Sequence, residues 1–254
     1  MRLRRDWSRR RQGWIKIGLR AVVVIILIAA GSFFWQYKYS PQGEKSWSWS
    51  IGNQVILIDA GHGGVDPGAV GKISLEKDIT LNIAKHLQLL IQQAGGDPVM
   101  VRVTDVDLGT SQGLAKRKRE DLAQRIQLAK DYKADVYLSL HVNSSPNHSL
   151  TGPQVFYHAD SPGGKMLAGT IQAELNKLAG TKRVAKDNQD LFILKKADQA
   201  AVTVEVGFLS NPQEETKLNE TDYQHQLSVA IYQGLSEYCR KLQKEGLPPV
   251  DMTK

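Results

Sequence analysis

An α/β fold, a single domain with a mostly parallel central sheet flanked by helices, is predicted by three features of the 254-residue chain. Short β-branched runs alternate with longer segments whose apolar residues recur at helical spacing. Gly and Pro mark the junctions between them. Hydrophobic and charged fractions of 41% and 23% suit one domain that buries a core.

In chain order, the run at 55–59 (VILID) predicts a buried strand. A Gly-rich turn then leads to a helix over 77–94 with Ile79, Ile83, Leu87, Leu90 and Ile91 on one face, ended by Gly95 and Gly96. A second strand is predicted at 98–103 (PVMVRV), and 123–130 lies in a helix that presents Leu122, Ile126 and Ala129. A third strand follows at 135–140 (DVYLSL). A strand near 154–157, a helix from Gly164 carrying Leu167, Ile171, Leu175 and Leu178, a strand at 201–206 and a helix over 223–242 complete the domain. The domain is bounded at 54–242, with a tail at 243–254. Cys239, the one cysteine, has no partner for an intrachain disulfide and reads as a packing residue.

The segment before the domain is of another kind. Residues 1–20 form a basic cytoplasmic arm in which Arg2, Arg4, Arg5, Arg9, Arg10, Arg11, Lys16 and Arg20 face only Asp6. Much of the formal charge of +7 therefore sits in this arm, and the nearly balanced remainder offers no basic face for nucleic acid. Residues 21–37 (AVVVIILIAAGSFFWQY) are uncharged and, with the stretch from Trp14, approach the ~20 residues that span a bilayer. Arg before this run and little Lys or Arg just after it predict a single-pass signal-anchor in the cell membrane, with the domain on the extracytoplasmic side. A cleaved signal peptide is the rival reading, supported by the small residues Ala29, Ala30, Gly31 and Ser32. Phe33, Phe34 and Trp35 prolong the run and favour the anchor, and both readings export the domain. Residues 38–53 are polar and lack periodicity, as expected of a linker that adds little to the core.

Candidate chemistry gathers at the carboxyl ends of predicted strands, where ligands collect in parallel sheets. His62 follows the first strand, His141 closes the third, Glu205 lies near the end of the strand at 201–206, and Glu76 precedes the first helix. Each has an ordinary reading: the histidines as polar loop residues, Glu76 as a charge complementing the helix dipole, Glu205 as a solvent-facing strand residue. Two imidazoles and one carboxylate also match the ligand set of a catalytic zinc, with a second carboxylate left to move protons. Spacing does not decide which glutamate does which. Asn143, two residues past His141, reads either as a group that orients substrate or as a loop cap. The glycines at 61, 63, 64, 68 and 71 lack the spacing of a phosphate-binding loop.

Four blocks in order, VILIDAGHGGVDPGAVG, LEKDITLNIA, VYLSLHVNS and VEVGFLSNPQE, resemble the zinc-dependent N-acetylmuramoyl-L-alanine amidases of the type-3 amidase family. The resemblance runs from about Val55 to Tyr238. It implies Zn2+ held by His62, Glu76 and His141, Glu205 as the catalytic carboxylate, and peptidoglycan as substrate. Two positions depart from the family pattern: Ala60 stands in place of Pro, which is expected to loosen the turn presenting His62, and Lys130 follows Ala129 in place of Asn. The anchor, the linker with Trp47 and Trp49 and the run at 72–78 resemble the spore-germination branch, whose amidases strip stems so that a deacetylase can form muramic lactam in cortex. The span between Ser144 and Gly164 leaves no room for a long groove-blocking insertion, so control is expected from elsewhere, such as an activating protein partner. The competing functions are another zinc peptidoglycan hydrolase, such as a carboxypeptidase acting within the stem, and a non-catalytic wall-binding module.

Overall fold

Alternation along the three central strands sends one set of residues to each side of the sheet, and the two sides are covered unequally. The computed structural model describes residues 51–246. The predicted arm, anchor and most of the linker lie outside the described residues, as does the end of the tail. Among the described residues, β1 (Val55–Ala60), β2 (Asp97–Met100), β3 (Val136–Asn143), β4 (Gln154–Tyr157), β5 (Lys186–Asp187) and β6 (Ala200–Phe208) form one sheet in the order β2-β1-β3-β6-β4-β5. The helices are α1 (Glu76–Gln93), α2 (Leu114–Asp131), α3 (Pro162–Ala179), α4 (Phe192–Lys196), α5 (Pro212–Leu218) and α6 (Thr221–Glu245). No helix among the described residues is long and apolar enough to cross a membrane.

One face of the sheet presents Ile56, Ile58, Leu138, Leu140, Val202 and Val204 to α1, α3 and α6. The other begins with Leu57, Tyr137 and Ala201, which pack against Ile126 and Ala129 of α2 and against Ile193 and Leu194 of the five-residue α4. Short helical cover on this second side leaves the carboxyl ends of β3 and β6 accessible.

The sheet is mixed and mostly parallel. β2, β1, β3 and β6 run together, whereas β4 pairs antiparallel to β6. No helix separates β3 from β4, and a parallel return needs a crossover of a dozen or more residues, usually helical.

Several boundaries differ from those predicted. Ladder pairing of the second strand stops at Met100 because Arg102 turns inward to bond carbonyls, and Val103 is exposed. The linker does not end at 53: Ile51 is fully buried beside Gly96 and belongs to the core. α6 runs past 242 to Glu245 and closes on Gly246 in a left-handed conformation. The small elements β5, α4 and α5 carry too little periodicity to be predicted. Cys239 is buried as expected, and burial pushes its thiol up to about 12.

α3 and α6 meet at Gly234, where a Cβ would fall 2.4 Å from Ile171 Cα. The obstructing atom is backbone, so it has little freedom to yield. Gly234→Ala gains ~1 kcal/mol of helix propensity, but overpacking costs ~1–3 kcal/mol. A net loss of stability in urea unfolding is expected; an unchanged or higher midpoint would show that the two helices part easily.

Candidate active site

The site is built from the polar continuation of the second sheet face. Beyond Leu57, Tyr137 and Ala201, the same alternation places Asp59, Ser139 and Thr203 side by side in register, and then pairs His141 directly with Glu205. Apolar residues at the amino ends of the strands thus give way to polar ones in the middle and to chemically active ones at the carboxyl ends.

β1 ends at Ala60, and the chain turns through Gly61 into His62, whose φ of 64° is unusual for a residue with a side chain. Two buried arginines hold this turn by its carbonyls. Arg102 donates from Nε to Ala60 O (2.9 Å) and from Nη2 to Gly61 O (3.1 Å). Arg125 donates from Nη1 to Ala60 O (3.2 Å) and from Nη2 to His62 O (2.8 Å). The turn expected to loosen at Ala60 is therefore clamped at three successive carbonyls. Gly61 has its own requirement, since a Cβ there would lie 2.5 Å from His141 Cε1.

Arg125 is fixed in turn by Asp121 (Nε to Oδ2, 2.8 Å) and by an ion pair with Asp59. Asp59 also accepts from Tyr137 Oη (2.9 Å) and Ser139 Oγ (3.2 Å). Burial, the largest single effect, would raise the Asp59 pKa, but the charges of Arg125 and His141 and the hydrogen bonds of Tyr137 and Arg125 together outweigh it and hold the carboxyl below its ordinary value. Neither Asp59 nor Arg125 was singled out from the sequence. The available signals were an acid inside the apolar run VILIDA and an arginine on the buried face of α2 between Leu122, Ile126 and Ala129.

His62, Glu76 and His141 come together as predicted, with one potential ligand atom from each within 4.8 Å of the others. Glu76 Oε1 lies 3.2 Å from His62 Nε2 and 2.9 Å from His141 Nδ1. Glu76 is the first residue of α1, yet it is buried and turned inward. Val142 N donates to Oε1 (2.9 Å) and Ala69 N to Oε2 (2.7 Å). Desolvation works to raise its pKa, but the hydrogen bonds and charges of His141 and His62 prevail and hold it far below the ordinary carboxylate range. His62 is oriented through its other nitrogen: Nδ1 lies 2.9 Å from Asp66 Oδ2, and Asp66 also pairs with Lys118 at 2.9 Å. A carboxylate on the far nitrogen is the usual partner of a ligating histidine. Asp66 was not singled out from the sequence either.

Two further observations fit this donor set to a metal ion. A Cβ on Gly68 would fall 2.5 Å from Glu76 Oε2 and 2.6 Å from His62 Cδ2, so the cradle around the ligands is as close as glycine allows. Glu205 Oε2 is buried with no hydrogen-bond partner among the described residues. Two imidazoles and one carboxylate leave a coordination position open, as in catalytic zinc sites. Desolvation pushes Glu205 up to about 7, partly offset by the His141 charge. Glu205 lines the cavity together with His62 and His141.

Asn143 lies on β3 opposite Phe208, past a register shift that separates it from His141. Its carbonyl accepts from Leu209 N at 2.8 Å. A cavity of about 160 Å³ opens over His62, His141 and Glu205 and extends between α2 and α4.

Comparison with known proteins agrees with this geometry. Residues 56–237 match the family model described as N-acetylmuramoyl-L-alanine amidase. The chain is 34% identical over 245 residues to the germination-specific N-acetylmuramoyl-L-alanine amidase of Bacillus subtilis strain 168, covering 95% of this chain and 99% of that protein. Among solved structures it resembles the CwlD amidase of Clostridioides difficile, determined in complex with the GerS lipoprotein: TM-score 0.73, 34% identity, 74% of this chain and 100% of the other. The catalytic domain of CwlV, an amidase of Bacillus (Paenibacillus) polymyxa, is similar at a TM-score of 0.63 and 30% identity over 73% of this chain and 97% of that one.

Removing Arg125 strands the buried Asp59 charge. Arg125→Met is expected to cost ~3–5 kcal/mol in denaturant unfolding, and adding Asp59→Asn should recover part of it. Equal stability of the single and double variants would assign the loss to the orphaned carbonyls instead. For Glu205, a value in the fold near 7, against an ordinary 4.5, means that ionisation opposes folding. Its contribution is intact below about pH 4.5 and is lost as pH rises through 7. Chelator-treated protein should lose on the order of 3 kcal/mol between pH 5 and 8, and Glu205→Gln should flatten that slope. An unaltered slope would place the titration elsewhere.

Proposed function

The chain belongs to the N-acetylmuramoyl-L-alanine amidase family, and from that premise we propose that it holds zinc through His62, Glu76 and His141 and uses Glu205 to cleave the amide between the muramic acid lactyl group and L-alanine. The observation that carries this reading is the meeting of His62 Nε2, Glu76 Oε1 and His141 Nδ1 beside a buried carboxylate. Zinc, when bound, supplies Lewis acidity toward the scissile carbonyl and toward water.

The protein's own contribution is positional and protonic. Asp66 fixes the His62 ring through Nδ1, and the arginine-clamped turn fixes the height of His62 above the sheet. Glu205 stands opposite His141 on the neighbouring strand, where its carboxylate takes the proton of the attacking water and returns it to the leaving amine. Burial strengthens it as a base for this transfer. Asn143 is the candidate for orienting substrate at the end of β3.

The biological setting follows the same premise. Similarity to a germination-specific amidase along nearly the whole chain supports a role in spore cortex, where stem removal precedes muramic lactam formation. The basic arm followed by the uncharged run at 21–37 supports a membrane-anchored protein with its catalytic domain outside. Likeness to an amidase solved with a lipoprotein supports a protein partner of that class.

The test is to incubate the zinc-loaded protein with purified peptidoglycan and identify the products by mass spectrometry. Stems released with a free L-alanine amine are expected. Shortened stems would instead indicate a carboxypeptidase, and no release at all a binding module. Glu205→Gln should keep about one zinc per chain while activity falls by ~10²–10⁴; Glu76→Gln should lose metal affinity. The opposite pattern of metal retention would exchange the roles of the two glutamates.

A further inference from the structure

On the amidase reading above, we infer that the cavity between α2 and α4 receives the peptide side of the scissile amide, and that Lys118 there selects stems whose residue after L-alanine bears a free carboxylate. The cavity leads from His62, His141 and Glu205 to an apolar wall of Leu122, Leu191 and Phe192. Its volume of about 160 Å³ equals roughly five water molecules, which suits the methyl group of L-alanine and part of the next residue but not a glycan strand. Phe192 remains 38% exposed there, a ring edge available to a ligand.

Lys118 stands at the rim with 55% of its side chain exposed. Its ammonium contacts Asp66 at 2.9 Å, which occupies one of three donors. Asp66 in turn lies 2.9 Å from His62, so the ammonium is one carboxylate beyond the ligand ring. Successive Cα atoms are ~3.8 Å apart, so a charge on the second stem residue lies one such step beyond L-alanine, and on this inference it is the charge that meets Lys118. A dicarboxylic residue joined to the stem through its side-chain carboxyl leaves such an α-carboxylate free.

The amino-terminal part of α2 carries charge of the matching sign, and the acids Asp59, Asp66, Asp121 and Glu205 also line the cavity. α2 opens with Lys116, Arg117, Lys118 and Arg119 and has no acid in its first turn. Cations at this end oppose the helix dipole, so the run does not serve helix stability. Arg117 is engaged by Asp107 and Lys118 by Asp66; Lys116 and Arg119 are exposed. The opposite flank suits the glycan. A larger groove of about 440 Å³ there is lined by Lys72, Ser144, Ser145, His148 and Ser210. Its lining residue Val70 follows Ala69, whose N–H donates to Glu76.

Two soluble muropeptide fragments test the assignment, identical except that the residue after L-alanine carries either a free α-carboxylate or its primary amide. The zinc-loaded wild type is expected to show a KM about tenfold lower for the free carboxylate, the scale of one charge-assisted hydrogen bond. kcat should be similar for the two. Lys118→Gln should bring the KM ratio to within about twofold of unity, and calorimetric binding of the two released stem peptides should show the same loss of discrimination. A Lys118 that acts only by steadying Asp66 and His62 would affect both substrates alike and leave the ratio at its wild-type value, which overturns the inference. Equal KM values in the wild type overturn it as well. Failure to release a free L-alanine amine from either fragment would instead defeat the amidase reading itself.

Discussion

The buried pair of Arg125 and Asp59 is the constraint on which the site depends. A guanidinium taken out of water has five N–H donors to satisfy, and here four hydrogen bonds go to Asp59, Asp121 and the carbonyls of Ala60 and His62. Those carbonyls belong to the turn that presents His62 in a left-handed conformation. Backbone in that region persists only where its surroundings over-determine it, and two arginines on three consecutive carbonyls supply that. An ion pair of this kind adds little net stability compared with apolar packing. Its value here is geometric, because it ties the end of β1 to α2 and so sets one ligand relative to the other two.

Unequal cover of the sheet converts this geometry into an accessible site. α1, α3 and α6 close one face with aliphatic packing. The other face is covered mainly by α2 and a five-residue helix, so His141 and Glu205 emerge at its carboxyl edge beside a cavity. Glu76 arrives from the opposite direction, at the start of α1, and takes two backbone donors, one from the loop before α1 and one from β3. The ligand set is thus assembled from a turn, a helix terminus and a strand, with Glu205 added by the adjacent strand. Glu76 and Glu205 are chemically identical side chains held in contrary states: one surrounded by donors and imidazoles, the other desolvated. That contrast suits Glu76 to the ligand's part and Glu205 to the proton carrier's part in the proposed mechanism.

Much of the fold was legible in residues 54–242. The period-two and period-3.6 patterns located the long strands and most long helices to within a few residues, because hydrophobic burial imposes those periods directly; α2 begins at Leu114, nine residues before the predicted segment, where the charged run carries no apolar period. Antiparallel β4 was not legible, since its direction follows from a missing crossover and not from its own residues. β5, α4 and α5 were too short to carry a period. The early end of β2 reflects Arg102 reaching for carbonyls forty residues away in the chain, which no local pattern encodes.

For the site, the sequence by itself determined the residue types and their places at strand ends: His62, His141, Glu76 and Glu205 were all identifiable, and the ordered blocks marked the family. The tertiary structure alone decided what each faces. Glu76 turns inward to the imidazoles because two backbone amides, donated by Ala69 and Val142, draw its carboxylate there. Glu205 is left without a hydrogen-bond partner among the described residues because β6 sets it opposite His141 on the sparsely covered face. Asp59, Asp66, Arg102 and Arg125 gain meaning only when residues up to 80 positions apart form ion pairs and hydrogen bonds. Such pairings are fixed by the free energy of desolvated charge, which depends on three-dimensional neighbours and leaves no periodic trace in the chain.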